Sequence, residues 1–211
     1  GKKLASSAFI DEVPRTIKIW DPAGVDEPIT IRGSMGRQSW SPDGTKIASG
    51  GDGTSVRIWD GETGTLIRKL NEHNDAISCI GWNADGSLLA SSSYDHDVKI
   101  WDIATGKIQY RMKEQEEKHT DVVHSVAFSP DGVILATASS DKTIRLWNTK
   151  SRNHIRTLEG HTDSVRTLSW SSDGTRIASG SYDNSVKIWN LETGELKLSL
   201  KGQPNNIKCL G

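Results

Sequence analysis

Three sets of residues carry the groups from which a nucleophilic active site is made: His73, Ser91, Asp95 and Trp101; His119, Thr137, Asp141 and Trp147; His161, Ser179, Asp183 and Trp189. An imidazole between a hydroxyl and a carboxylate is the arrangement that activates serine for acyl transfer. In every set the hydroxyl, carboxylate and indole follow the histidine by 18, 22 and 28 residues. That constancy speaks against catalysis. A chain needs an active site once, whereas a device required by each structural unit recurs with the unit. A buried indole N–H needs an acceptor, and a hydroxyl can accept from it while donating onward to His or Asp. A satisfied chain of this kind would tie the turns to the Trp strand and fix its register. The expected role of the three sets is structural, and no catalytic residue is assigned.

The elements that must position these groups repeat with the same period. Trp20, Trp59, Trp101, Trp147 and Trp189 lie in the segments IKIWD, VRIWD, VKIWD, IRLWN and VKIWN, at intervals of 39, 42, 46 and 42 residues. Alternating Val, Ile and Trp favour strands, and no unit offers a long amphipathic helical stripe. An Asp-Gly turn precedes four of the Trp strands, in SPDG at 41–44, NADG at 83–86, SPDG at 129–132 and SSDG at 171–174. Such a turn joins two short apolar segments, because Gly accepts the positive φ that it demands. A Thr-Gly turn follows the Trp strand in three units and leads into a fourth strand such as TLIRKL or ELKLSL. A lone four-stranded sheet cannot bury both faces, so the units must stack on one another. The expected class is all-β, one domain over residues 1–211.

These motifs, together with Gly160-His161, resemble the Trp-Asp (WD) repeat β-propeller family over nearly the whole chain. The resemblance implies blades of four antiparallel strands, a structural tetrad of His, Ser or Thr, Asp and Trp, and closure by overlap of the chain ends. The chain opens with LASSAF, of second-strand type, and ends with NNIKCL, of first-strand type. Pairing the last strand with the first sheet would satisfy both edges. The expected ring has five blades: 1–33 plus 203–211, 34–72, 73–118, 119–160 and 161–202. The first two lack the tetrad. The Trp59 unit has no His and its Asp52 is displaced by one residue, while Pro14 takes the Asp position of the Trp20 unit within a turn lengthened by Phe9 to Arg15. These two blades are expected to be the least stable part of the ring.

Little other chemistry is present. With 26 basic and 27 acidic residues, no long-range field favours nucleic acid or a membrane surface. Only two cysteines, Cys79 and Cys209, suit a reducing compartment, so cytoplasm or nucleus is the expected location. No HExxH, Walker or GxGxxG pattern occurs, and neither a metal nor a cofactor is expected. The charged run from Lys113 reads as a solvated loop in the longest unit. What remains is surface. In the family, partners commonly meet one ring face, and the matching positions here are Tyr94, Ser140 and Tyr182, one before each tetrad Asp, and Ala76, Val122 and Ser164, three after each His. Rim tyrosines offer apolar area with a polar tip. The expected function is a non-enzymatic scaffold that binds a peptide or protein on that face, as a monomer. The alternative is an incomplete ring whose open ends join another copy.

Overall fold

The computed structural model describes residues 3–8, 16–21, 27–32, 37–50, 53–112, 116–201 and 207. Their strands form five antiparallel sheets in which neighbours in sequence are neighbours in space. The first holds β1 (Leu4–Ala8), β2 (Thr16–Trp20) and β3 (Ile29–Arg32). The Trp59 sheet holds β4 (Arg37–Trp40), β5 (Lys46–Gly50), β6 (Ser55–Asp60) and β7 (Leu66–Asn71). The Trp101 sheet holds β8 (Ile77–Trp82), β9 (Leu88–Ser93), β10 (Val98–Asp102) and β11 (Ile108–Arg111). The Trp147 sheet follows with β12 (Val123–Phe128), β13 (Ile134–Ser139), β14 (Ile144–Asn148) and β15 (His154–Leu158). The Trp189 sheet ends the series with β16 (Val165–Trp170), β17 (Arg176–Ser181), β18 (Ser185–Asn190) and β19 (Leu196–Lys201). The arrangement is all-β and propeller-like.

The Asp-Gly turns form through their own side chains. Ser41 Oγ donates to Asp43 Oδ1 at 2.5 Å and the Thr45 amide donates to the same oxygen at 3.0 Å. Those hydrogen bonds, with one from the Thr45 hydroxyl, hold the Asp43 carboxyl down at about 2. Gly44 then takes φ 71°, which a β-carbon would disfavour. At the turn after the Trp strand the corresponding positions are Gly64, Gly106, Arg152 and Gly194, all at positive φ. Glycine there also permits close packing: a β-carbon on Gly106 would stand 2.3 Å from the Arg68 guanidinium of the preceding sheet.

The core lies between sheets. Ala136, Ala138, Ile144, Leu146 and Leu158 of the Trp147 sheet pack on Val165, Leu168, Ile177 and Trp189 of the next. The same construction joins the Trp20 sheet to the Trp59 sheet through Ile17, Ile19, Ile31, Ile47 and Trp59. Arginines clasp the outer rim of these junctions. Arg68 donates to the Thr105 carbonyl at 2.8 Å, and Arg156 donates to the Thr193 carbonyl one sheet further on. At the intervening junction the partners are exchanged, with Arg152 of the turn lying 5.4 Å over the Tyr110 ring.

The first sheet has three strands among the described residues rather than four. The strand expected to complete it, at 206–210, lies outside the described residues except for Ile207. Pro14 with its turn, Asp52 and Cys209 also lie outside them. No helix among the described residues is long and apolar enough to cross a membrane.

Candidate interaction surface and the hydrogen-bonded tetrads

The structure brings each of the three His, Ser/Thr, Asp and Trp sets together in one continuous chain. Trp101, Trp147 and Trp189 donate their indole N–H to Ser91, Thr137 and Ser179 at 2.8, 3.0 and 2.8 Å. The same hydroxyls lie 2.8 Å from Nε2 of His73, His119 and His161. Nδ1 of those histidines lies 2.8, 2.7 and 2.7 Å from Asp95, Asp141 and Asp183. One proton order satisfies every atom: indole to hydroxyl, hydroxyl to Nε2, and Nδ1–H to carboxylate, around a neutral imidazole. The carboxylates also accept the backbone amides of Asn74, Thr120 and Thr162.

Burial by itself would raise these three carboxyls. Hydrogen bonds from the histidines, the adjoining amides and the hydroxyls of Thr143 and Ser185 outweigh it and hold them well below 3.8. Burial lowers His119 and His161 below 6.5, and the attraction of Asp141 and Asp183 offsets only part of that shift. The distances are those of a hydrolytic triad, but Ser91, Thr137 and Ser179 are 0% exposed.

Other members of the network escaped the sequence reading. Ser93, Ser139 and Ser181 donate to the carbonyls of Asp75, Asp121 and Asp163 at 3.0, 3.0 and 2.9 Å, bracing the turn that carries each tetrad Asp. Their signal was a serine two residues before each of those aspartates. Trp20 and Trp59 make the indole-to-hydroxyl bond without a histidine, to Ser6 and Ser49, both at 2.8 Å. In the Trp101 sheet the buried Lys99 adds an ion pair to Asp97 at 2.8 Å and lies 3.7 Å from Asp95.

The six rim positions lie in three adjacent sheets and are locked in pairs by the backbone. The amides of Tyr94, Ser140 and Tyr182 donate to the carbonyls of Ala76, Val122 and Ser164 at 3.0, 2.9 and 3.0 Å. Side chains then link the sheets. Ser164 Oγ donates to Ser140 Oγ at 3.2 Å, and Ser140 Oγ lies 2.6 Å from Nε2 of His124. The Tyr94 ring meets the His124 ring edge-on, with centroids 6.0 Å apart. Arg166 donates to His124 Nε2 at 2.8 Å and stacks over Tyr182 at 4.6 Å. His124 is buried, and burial together with the Arg166 charge pushes its pKa down to about 4. The neutral ring therefore serves as an acceptor between Arg166 and Ser140, a role the sequence reading did not assign. Tyr94 is 43% exposed; Tyr182, Ser140, Ser164, Ala76 and Val122 are half-buried. Cys79 is half-buried against the carbonyl of Val126 in the adjoining sheet. Among the described residues, no group of three or more His, Cys, Asp or Glu is placed to hold a metal ion.

No curated protein gives a significant match to the chain. The family model described as WDR19 first beta-propeller matches residues 37–210, a span from β4 through the Trp189 sheet. With tetrads, turns and stacked sheets in the same stretch, the chain belongs to that WD-repeat β-propeller family.

Proposed function

We propose that the chain is a protein-interaction scaffold that binds a peptide or protein partner on the face bearing Tyr94, Ser140, Tyr182, Ala76, Val122 and Ser164, without catalysis and without a cofactor. WD-repeat propeller domains generally serve as interaction modules. The observation that carries the assignment to this face is the contact path from Tyr94 through His124 to Ser140 and Ser164, and from His124 through Arg166 to Tyr182. It ties three sheets into one surface whose aromatic groups are already fixed. A partner docking there loses little side-chain entropy on the scaffold side. Its apolar side chains pack against the open Tyr94 ring, and its backbone polar groups reach the serine hydroxyls. The finer architecture within this reading is a propeller of five blades.

Affinity purification followed by mass spectrometry, run in parallel with the unaltered chain and a Tyr94→Ala/Tyr182→Ala variant, tests the assignment. Loss of two interface anchors weakens capture of the specific partners by more than about tenfold. Capture of the same partners at undiminished level by the folded variant excludes this face.

A further inference from the structure

Arg166 brings to the tyrosine rim a charge that no carboxylate among the described residues neutralises. Its hydrogen bond goes to Nε2 of His124 at 2.8 Å, and its guanidinium is stacked 4.6 Å from the Tyr182 ring. The Ser140 hydroxyl lies 2.6 Å from the same nitrogen. A neutral imidazole offers one lone pair there, so the two donors share it. The guanidinium is held in place without meeting a counter-charge. Arg37, at the start of β4, is exposed and makes no hydrogen bond or ion pair among the described residues.

The carboxylates of the same rim are engaged elsewhere. Asp75, Asp121 and Asp163 accept the amides of Ala76, Val122 and Ser164 at 2.7, 2.7 and 2.6 Å. Asp95, Asp141 and Asp183 face the tetrad histidines. The balance is felt at His124, where burial, then the Arg166 charge and, against the pull of Asp121, the Arg37 charge hold the ring neutral. A local positive potential therefore stands on a chain whose formal net charge is -1.

The fold accounts for the placement. In β8, β12 and β16 the ladder to the second strand slips by one residue at Ser78, His124 and Arg166. A bulge leaves the extra residue out of the ladder and re-aims its side chain. Ser78 turns onto Ser92 and the Val123 carbonyl and is buried, as is His124. Arg166 is half-buried and is the bulge residue that carries a charge.

On the reading that the tyrosine rim is the docking face, we infer that its partner is an acidic peptide, one Asp or Glu carboxylate of which is received by the Arg166 guanidinium, with Arg37 adding a second positive charge. A planar guanidinium matches a carboxylate through paired N–H groups. Stacking on Tyr182 has already fixed its orientation, so little side-chain entropy is lost on binding.

Retention of short peptide pools on the immobilised chain tests this. The pools carry Glu, Gln, Lys or phosphoserine at the centre, with uncharged residues randomised elsewhere. The Glu pool is retained more than about fivefold over the Gln and Lys pools. Arg166→Gln abolishes that preference and Arg37→Gln, at a side chain without contacts to lose, reduces it by about half. Lys107→Gln, in the Thr-Gly turn at the other end of the strands, leaves it unchanged. Tyr94→Ala/Tyr182→Ala lowers retention of every pool. Pools retained alike and lost together in the tyrosine variant would leave the rim as a docking face and overturn the carboxylate site. A Glu preference that survives both arginine variants, a phosphoserine pool retained above the Glu pool, or retention of no pool would each overturn it as well.

Discussion

Trp20 and Trp147 make the same hydrogen bond in different surroundings. Each indole donates to a hydroxyl on the preceding strand, at 2.8 Å to Ser6 and 3.0 Å to Thr137. Each pairs across the ladder with the leucine two residues before that hydroxyl, Leu4 and Leu135. Yet Trp147 is 0% exposed and Trp20 is 41% exposed. The bond belongs to the register of one sheet and forms wherever the strands pair. Burial belongs to the preceding sheet, whose residues Val98, Ile100, Tyr110 and Met112 share a core cluster with Trp147, and the histidine and carboxylate that extend the bond occur where burial is complete.

The largest effect expected from this difference is on stability. Trp147→Ala removes an indole enclosed by two sheets and costs about 3–5 kcal/mol. Trp20→Ala, measured in dilute solution, costs under about 2 kcal/mol, because much of that ring already faces water. Urea denaturation of the two variants reads both values. Equal losses would mean that Trp20 is covered in solution and would break the comparison.

A smaller contrast isolates the hydroxyl. Thr137→Val keeps the side-chain volume but leaves the Trp147 N–H and His119 Nε2 without their common partner, inside a region closed to water. The cost is about 1–3 kcal/mol. Ser6→Ala removes the acceptor of an indole that water can reach, and costs under about 1 kcal/mol. Urea midpoints again separate them, and a Ser6→Ala loss as large as that of Thr137→Val would place the first sheet in the same environment as the tetrad sheets.

Much of this difference was legible in the residues. The spacing of His, hydroxyl, Asp and Trp is a consequence of strand and turn lengths, which are local, so the tetrads could be read directly. So could the Asp-Gly turns, whose geometry depends on four consecutive residues. The contacts between sheets were less accessible. Nothing in the Trp101 unit by itself shows that Arg68 of the preceding sheet reaches over Gly106, or that Arg152 takes the glycine position where Tyr110 replaces the arginine. His124 looked like an ordinary strand residue, since its partners are Ser140, in the turn after β13, and Arg166, on β16 of another sheet. The exposure of Leu4 and Leu200 was hidden for the same reason: both have the residue type of their buried counterparts, and only their surroundings among the described residues set them apart.

Acid sharpens the comparison with the smallest change. His119 and His161 are held neutral in the fold, below the ordinary 6.5, so the unfolded chain binds more protons than the folded one as pH falls below 6.5. Stability supplied by these rings is therefore present above that pH and lost as pH falls toward their depressed values. Asp95, Asp141 and Asp183, held below 3.8, add a second loss below that pH. The described part of the first sheet contains no histidine. Hydrogen exchange at neutral pH is expected to show stronger protection in β14 and β18 than in β2. Lowering the pH from 7 to 5 then narrows the gap, by loss of protection in the tetrad sheets, once intrinsic exchange rates are divided out. A gap that stays constant, or that closes through gain of protection in β2, would detach the tetrad histidines from the stability of their sheets.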